Sequence, residues 1–114
     1  MKDSIIFTRS NDFSIAIIRY VEELNNKRQF VLGIQVLKSG TSIGANIAEA
    51  LDAQSRKDFL SKMSIALKEA RETKYWLFLL QKTELLDETN SYLLVEIEQI
   101  YAMLNKIVKT TRST

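Results

Sequence analysis

Four carboxylates invite a first guess at chemistry in this 114-residue chain. Glu69 and Glu72 stand three residues apart, and Glu96 and Glu98 follow in a later segment, so together they could share a metal ion. Carboxylates at that spacing usually line a solvated helix face, and the reading taken is no metal site. Asn46 and Glu49 form a second i,i+3 pair in a stretch with little other polarity. A buried carboxylate needs a partner. The pair is therefore read as an interhelix clasp with Lys68 or Arg71 as counter-charge and Ser64 as hydroxyl partner. Its neighbours Gly44, Ala45 and Ala48 are small enough to let another helix come close. Ser39, Thr41 and Ser42 are read as packing residues, because no base is available to activate them. The chain has no histidine and no cysteine. That removes Ser–His and Cys–His nucleophiles, zinc sites of the usual ligand set and the Glu-x-x-His pairs of di-iron bundles. No catalytic residue and no cofactor are expected.

The remaining chemistry is electrostatic. Lys57, Lys68, Arg71 and Lys82 fall on one face of a helical segment, a row that could track phosphates, with Tyr75 as the aromatic best placed to stack a base. The overall charge is only +2, but it is segregated. Residues 53–84 hold seven Lys/Arg against four acids, residues 85–105 hold four acids and no base, and Lys106–Arg112 holds three bases and no acid. Segregation of this kind favours an oriented surface over a uniformly solvated one.

Four helical segments position these groups. In residues 3–28, Ile6, Phe13, Ile17, Tyr20 and Leu24 follow helical spacing. Residues 30–51 are apolar nearly all round, with one stripe of Phe30, Ile34, Leu37, Ala48 and Leu51 and a second of Val36, Ile43 and Ile47. A helix in a four-helix bundle needs one stripe. The second, with Ile65 and Trp76, suggests burial against another subunit. Residues 56–82 start after Ser55, a helix cap with Asp58 three residues on. They carry Phe59, Met63, Ala66, Ala70, Leu77 and Leu80 as a seam interrupted by Thr73. Residues 88–111 repeat Leu93, Ile97, Ile100, Leu104 and Ile107 at the same spacing and end in Lys109 and Arg112, which suit a helix C-terminus. Nothing alternates with period two. Short connections between long helices make neighbours antiparallel, so the expected fold is all-α, an up-down-up-down four-helix bundle in one domain, residues 1–114.

With no proline and three glycines, helix breakers are scarce. The absence of cysteine suits a reducing compartment. The start, MKDSIIFTRSND, shows no leader-like apolar core, and no apolar run approaches the roughly 20 residues of a membrane span. A cytoplasmic protein without a membrane partner is the expectation.

Two stretches carry a resemblance. GTSIGANIAEA (40–50), followed by S-x-K-D-F-x-x-K-x-x-x-A-L-K-E-A-R-E-T-x-Y-W-L (55–77), closely resembles the four helix bundle proteins related to those encoded by intervening sequences in bacterial large-subunit ribosomal RNA genes, once described as a ribosomal protein. The similarity spans nearly the whole chain. It implies an up-down bundle, a homopentamer and no known catalysis. A related branch, the accessory protein of diversity-generating retroelements, is a basic pentamer that binds nucleic acid and a reverse transcriptase. Carried over, that role falls on Lys57, Lys68, Arg71 and Lys82, although this chain is barely basic and has an acidic stretch from Asp87 to Glu98. The expected function is thus a non-catalytic homo-oligomer binding RNA or another nucleic acid through basic faces repeated by symmetry. The alternative is a protein–protein adaptor or scaffold with an unidentified protein partner and no nucleic-acid role. A ribonuclease is disfavoured, since the common helical-bundle kind needs an Arg-x(4–6)-His motif.

Overall fold

The computed structural model describes residues 4–114; Met1–Asp3, where the N-terminal stretch and the first segment are expected to begin, lie outside them. Four helices form: α1 Ile5–Asn26, α2 Phe30–Leu51, α3 Arg56–Lys82 and α4 Tyr92–Ser113. The packing order α1–α2–α3–α4, with α4 returning to α1, is that of an up-down-up-down bundle. Its extents are 45 × 23 × 20 Å. The described residues include no strand.

The ends of these helices are set by local hydrogen bonds. Ser55 Oγ accepts from the Asp58 amide at 3.0 Å, as expected, and Ser4 Oγ accepts from Phe7 at 3.2 Å. The α1–α2 and α3–α4 turns both use a left-handed residue that is not glycine, Arg28 and Glu84, each with φ of 63°. In each turn the next amide reaches back five residues, Gln29 to Leu24 O at 2.8 Å and Leu85 to Leu80 O at 2.9 Å. The fourth segment starts later than expected. Glu88–Asn90 is a separate 3-10 turn capped by Asp87, because Asn90 is drawn inward to donate to Glu23 Oε1 on α1 at 3.0 Å. Tyr20 OH ties the same connection by donating to the Leu85 carbonyl at 3.0 Å.

The core matches most of the apolar pattern. Ile6, Phe13, Ile17, Tyr20 and Leu24 of α1 are buried, as are Met63, Ala66, Ala70, Leu77 and Leu80 of α3. On α4 the seam runs Leu93, Ile97, Ile100, Leu104 and then Val108, leaving Ile107 half-buried. On α2 the two stripes exchange roles. The second stripe, Val36, Ile43 and Ile47, is fully buried inside this bundle, whereas Phe30 and Ile34 of the first are 52% and 56% exposed.

All three glycines lie on one side of α2, facing α1. A Cβ on Gly40 would stand 3.0 Å from Ile17 Cγ2 and 3.1 Å from its Cγ1. The small-residue side of α2 that the glycines form is thus spent on α1. Toward α3, α2 offers a polar pair instead: the hydroxyls of Thr73 and Ser39 share a 2.9 Å hydrogen bond, both side chains buried. Thr73 also bonds the Glu69 carbonyl at 2.8 Å. The interruption in the α3 seam is thus matched across the interface. Thr73→Val leaves the Ser39 hydroxyl buried without its partner and should cost about 1–3 kcal/mol in urea denaturation. Adding Ser39→Ala should restore most of that loss; a double variant as unstable as the single one would show that the pair is not the cause.

Candidate functional site

The residues expected to clasp α2 to α3 do not converge. Glu49 is 59% exposed and pairs with Lys62 at 3.0 Å, not with Lys68 or Arg71. Lys62 lies about 1.7 turns of α3 before Lys68, nearer the α2–α3 connection, and Arg71 reaches Tyr101 of α4 instead. Asn46 donates to the Ser42 carbonyl of its own helix at 2.8 Å, and Ser64 takes no part. The structure therefore corrects the Asn46–Glu49–Ser64 cluster to a rim ion pair plus a half-buried amide bonded within its helix.

The carboxylates are likewise dispersed. Glu96 takes a two-pronged contact from Arg9 of α1, with Nε and Nη2 each at 2.9 Å, and Arg9 also reaches Gln99. Glu98 pairs with Lys74 at 2.7 Å. Glu72 accepts from Trp76 Nε1 at 3.0 Å. Among the described residues no group of three or more acids is placed to hold a metal. Glu69 is displaced from the ordinary carboxylate range. Burial first, then the neighbouring Glu72, pushes its carboxyl above the usual range, against an opposing pull from Lys68 and Lys38.

Of the basic row, Lys57, Lys68 and Lys82 are exposed on the outer surface of α3, the last with Nζ 5.6 Å from the centre of the Phe78 ring. Arg71 leaves the row. Its guanidinium lies 5.7 Å from the ring centre of Tyr101 on α4, with Nη2 3.3 Å from the hydroxyl, and Lys74 sits 4.3 Å over the same ring. Two adjoining grooves between α3 and α4 share Arg71. One, of about 430 Å³, has Leu94 and Ile97 as its floor, Tyr75 and Phe78 as walls and the Lys74–Glu98 pair at its rim. The other, of about 460 Å³, is lined by Arg71, Lys109 and Arg112, with Asn105 and Ser113 beside them and no carboxylate among the described residues. Arg56 holds this end of α4 by donating to the Thr111 carbonyl at 2.9 Å. The spacing in α3 does not show the grouping, because Lys109 and Arg112 come from another helix. The run of bases at the end of α4 was its only trace.

The fold and these contacts define an all-α four-helix bundle whose helices are tied by a few interhelix ion pairs. The family can be stated further. The chain belongs to the 23S rRNA-intervening sequence protein family, whose model matches residues 2–106. It is similar over 92% of its length, at 43% identity and a TM-score of 0.87, to a crystal structure of a protein of unknown function from the S23 ribosomal protein family of Bacteroides thetaiotaomicron, 99% of which is covered. No curated protein matches. None of the helices among the described residues is long and apolar enough to cross a membrane.

A raised Glu69 carboxyl means the folded chain holds that proton more tightly than the unfolded chain does. Ionised Glu69 then costs stability at neutral pH, and the cost disappears as pH falls through the raised value. Glu69→Gln should raise the melting temperature at pH 7, with the gain shrinking toward zero as the pH is lowered through the carboxylate range. A gain independent of pH would refute the electrostatic cause.

Proposed function

We propose that this chain is a non-catalytic subunit of a homo-oligomer, assembled through the outer face of α2, with five copies as the family resemblance implies. The observation that carries this reading is the apolar surface left on that face. Val31 is 76% exposed, Ile34 56% and Phe30 52%, continued by Thr41, Ala45 and Ala48, with Lys38 as the single charge before Glu49. Ile15 and Ile18 extend it onto α1 at 52% and 46% exposure. Exposed apolar residues are ordinary when scattered singly, but contiguous patches mark contacts. A nearly uncharged face offers nothing to an ionic partner, and a second copy supplies the matching apolar surface. An odd-numbered ring needs two different patches to meet. The α1 and α2 portions provide two, on adjoining sides of the bundle.

A second reading, RNA held by basic faces repeated around the ring, is supported by the exposure of Lys57, Lys68 and Lys82, none of them in an ion pair among the described residues. It remains compatible with assembly, and the adaptor reading survives without it. The absence of histidine and cysteine favours a function without catalysis.

Light scattering at micromolar concentration should return a multiple of 13.1 kDa, five-fold if the ring closes as proposed. Ile34→Glu, which places a charge at the centre of the face, should reduce it to the monomer without loss of helicity. A parent protein that scatters as a monomer would end the assembly reading. For the RNA reading, Lys57→Glu with Lys68→Glu should abolish a salt-sensitive affinity for single-stranded RNA; unchanged affinity would exclude that row.

A further inference from the structure

We propose that the paired grooves between α3 and α4 form a nucleotide-binding site, with the base seated between Tyr75 and Phe78 and the phosphates held by Arg71, Lys109 and Arg112. The two halves differ in the way the two halves of a nucleotide differ. The first groove has an apolar floor and two aromatic walls that are 56% and 49% exposed, so both rings present surface to a ligand. Its one cation not already neutralised is Arg71, because Lys74 is engaged by Glu98 at 2.7 Å. A flat, uncharged aromatic body suits that lining, since stacking needs a π-face and no countercharge. The second groove gathers three cations. Only anions compensate that charge, and two guanidinium groups suit phosphate oxygens in particular.

Arg71 belongs to both grooves. From Leu67, at the cationic end, to Phe78, at the aromatic end, α3 rises about 16 Å, close to the length of an extended nucleoside triphosphate. Arg71 stands between them, steadied by the Tyr101 hydroxyl at 3.3 Å. The bond from Arg56 to the Thr111 carbonyl fixes the end of α4 that bears Lys109 and Arg112. The cradle is therefore built before a ligand arrives. No residue here is placed to activate water, so the site binds without hydrolysis. It lies within one subunit and does not depend on the assembly proposed above.

The shared chemistry, a base joined to phosphate, has two sources: a free nucleotide or a nucleic-acid strand. The structure favours the first, because the two grooves together span about 16 Å along α3, the length of a single nucleoside triphosphate. Isothermal titration at low salt with ATP, ADP, AMP, adenosine and tripolyphosphate tests the assignment. Affinity should rise with phosphate count, about tenfold from AMP to ATP, and ATP should bind at least about tenfold tighter than tripolyphosphate. Arg112→Ala should weaken ATP about tenfold while leaving adenosine unchanged; Phe78→Ala should weaken every nucleoside ligand and leave tripolyphosphate unchanged. Both side chains lie at the surface, and unchanged circular dichroism confirms folding. The monomeric Ile34→Glu variant should bind ATP as the parent does, which separates failure of this site from failure of assembly. Equal affinity for ATP and tripolyphosphate, no saturable binding at millimolar ATP, or a 12-residue oligouridylate binding a hundredfold tighter than UTP would overturn the proposal, the last in favour of a strand.

Discussion

The contact between Gly40 of α2 and Ile17 of α1 sets the distances on which the rest of the bundle depends. A Cβ at Gly40 would meet two Ile17 atoms at 3.0 and 3.1 Å, and Ile17 is itself fully buried and branched at its Cβ, so it has nowhere to retreat. Gly33 and Gly44 repeat the arrangement at milder distances, against Asn25 and Val21 at one end and Ser14 and Asn11 at the other. Drawing α2 in against α1 brings Val36, Ile43 and Ile47 into the centre and presents Ser39 to Thr73 on α3. It also fixes which side of α2 is left outside. The apolar outer face of that helix follows from the glycine side being turned inward.

Much of this architecture was legible in the residues, and the reasons it stops being legible are physical. The bounds of α2 and α3 could be read from the apolar period and the Ser55 cap, both local properties. The start of α4 could not. Asn90 gives its amide to Glu23, sixty-seven residues away, and a long-range bond leaves no mark on a local pattern. The roles of the two α2 stripes depend on rotation about the helix axis, which the glycines decide. Neither stripe is more apolar in a way that would have ranked them.

The same limit governs the site. Periodicity placed Lys57, Lys68, Arg71 and Lys82 on one face of α3, and three of them are there. A helix net describes where a Cβ points, whereas Arg and Lys carry their charge well beyond it. Arg71 crosses to the Tyr101 ring, and Lys62 rather than Lys68 reaches Glu49. Which long side chains meet across an interface depends on helix register, and register appears only when the two helices are laid together.

The net charge of +2 therefore understates the electrostatics of this chain. Two of the four acids in residues 85–105 are consumed inside the bundle's own seams, Glu96 by Arg9 across α1–α4 and Glu98 by Lys74 across α3–α4. A third, Asp87, caps the 3-10 turn. An acid so engaged no longer offsets charge elsewhere, particularly at the far end of α4, a helix 22 residues or about 33 Å long. Lys109 and Arg112 lie 11 to 16 residues beyond Glu96 and Glu98, roughly 16–24 Å or two to three Debye lengths at physiological salt, so those acids scarcely offset these two charges whatever the total. Helix-terminal electrostatics accounts for one or two basic residues at the end of α4. It does not account for Arg71, which comes from the middle of α3 and is held at the same groove by an aromatic ring.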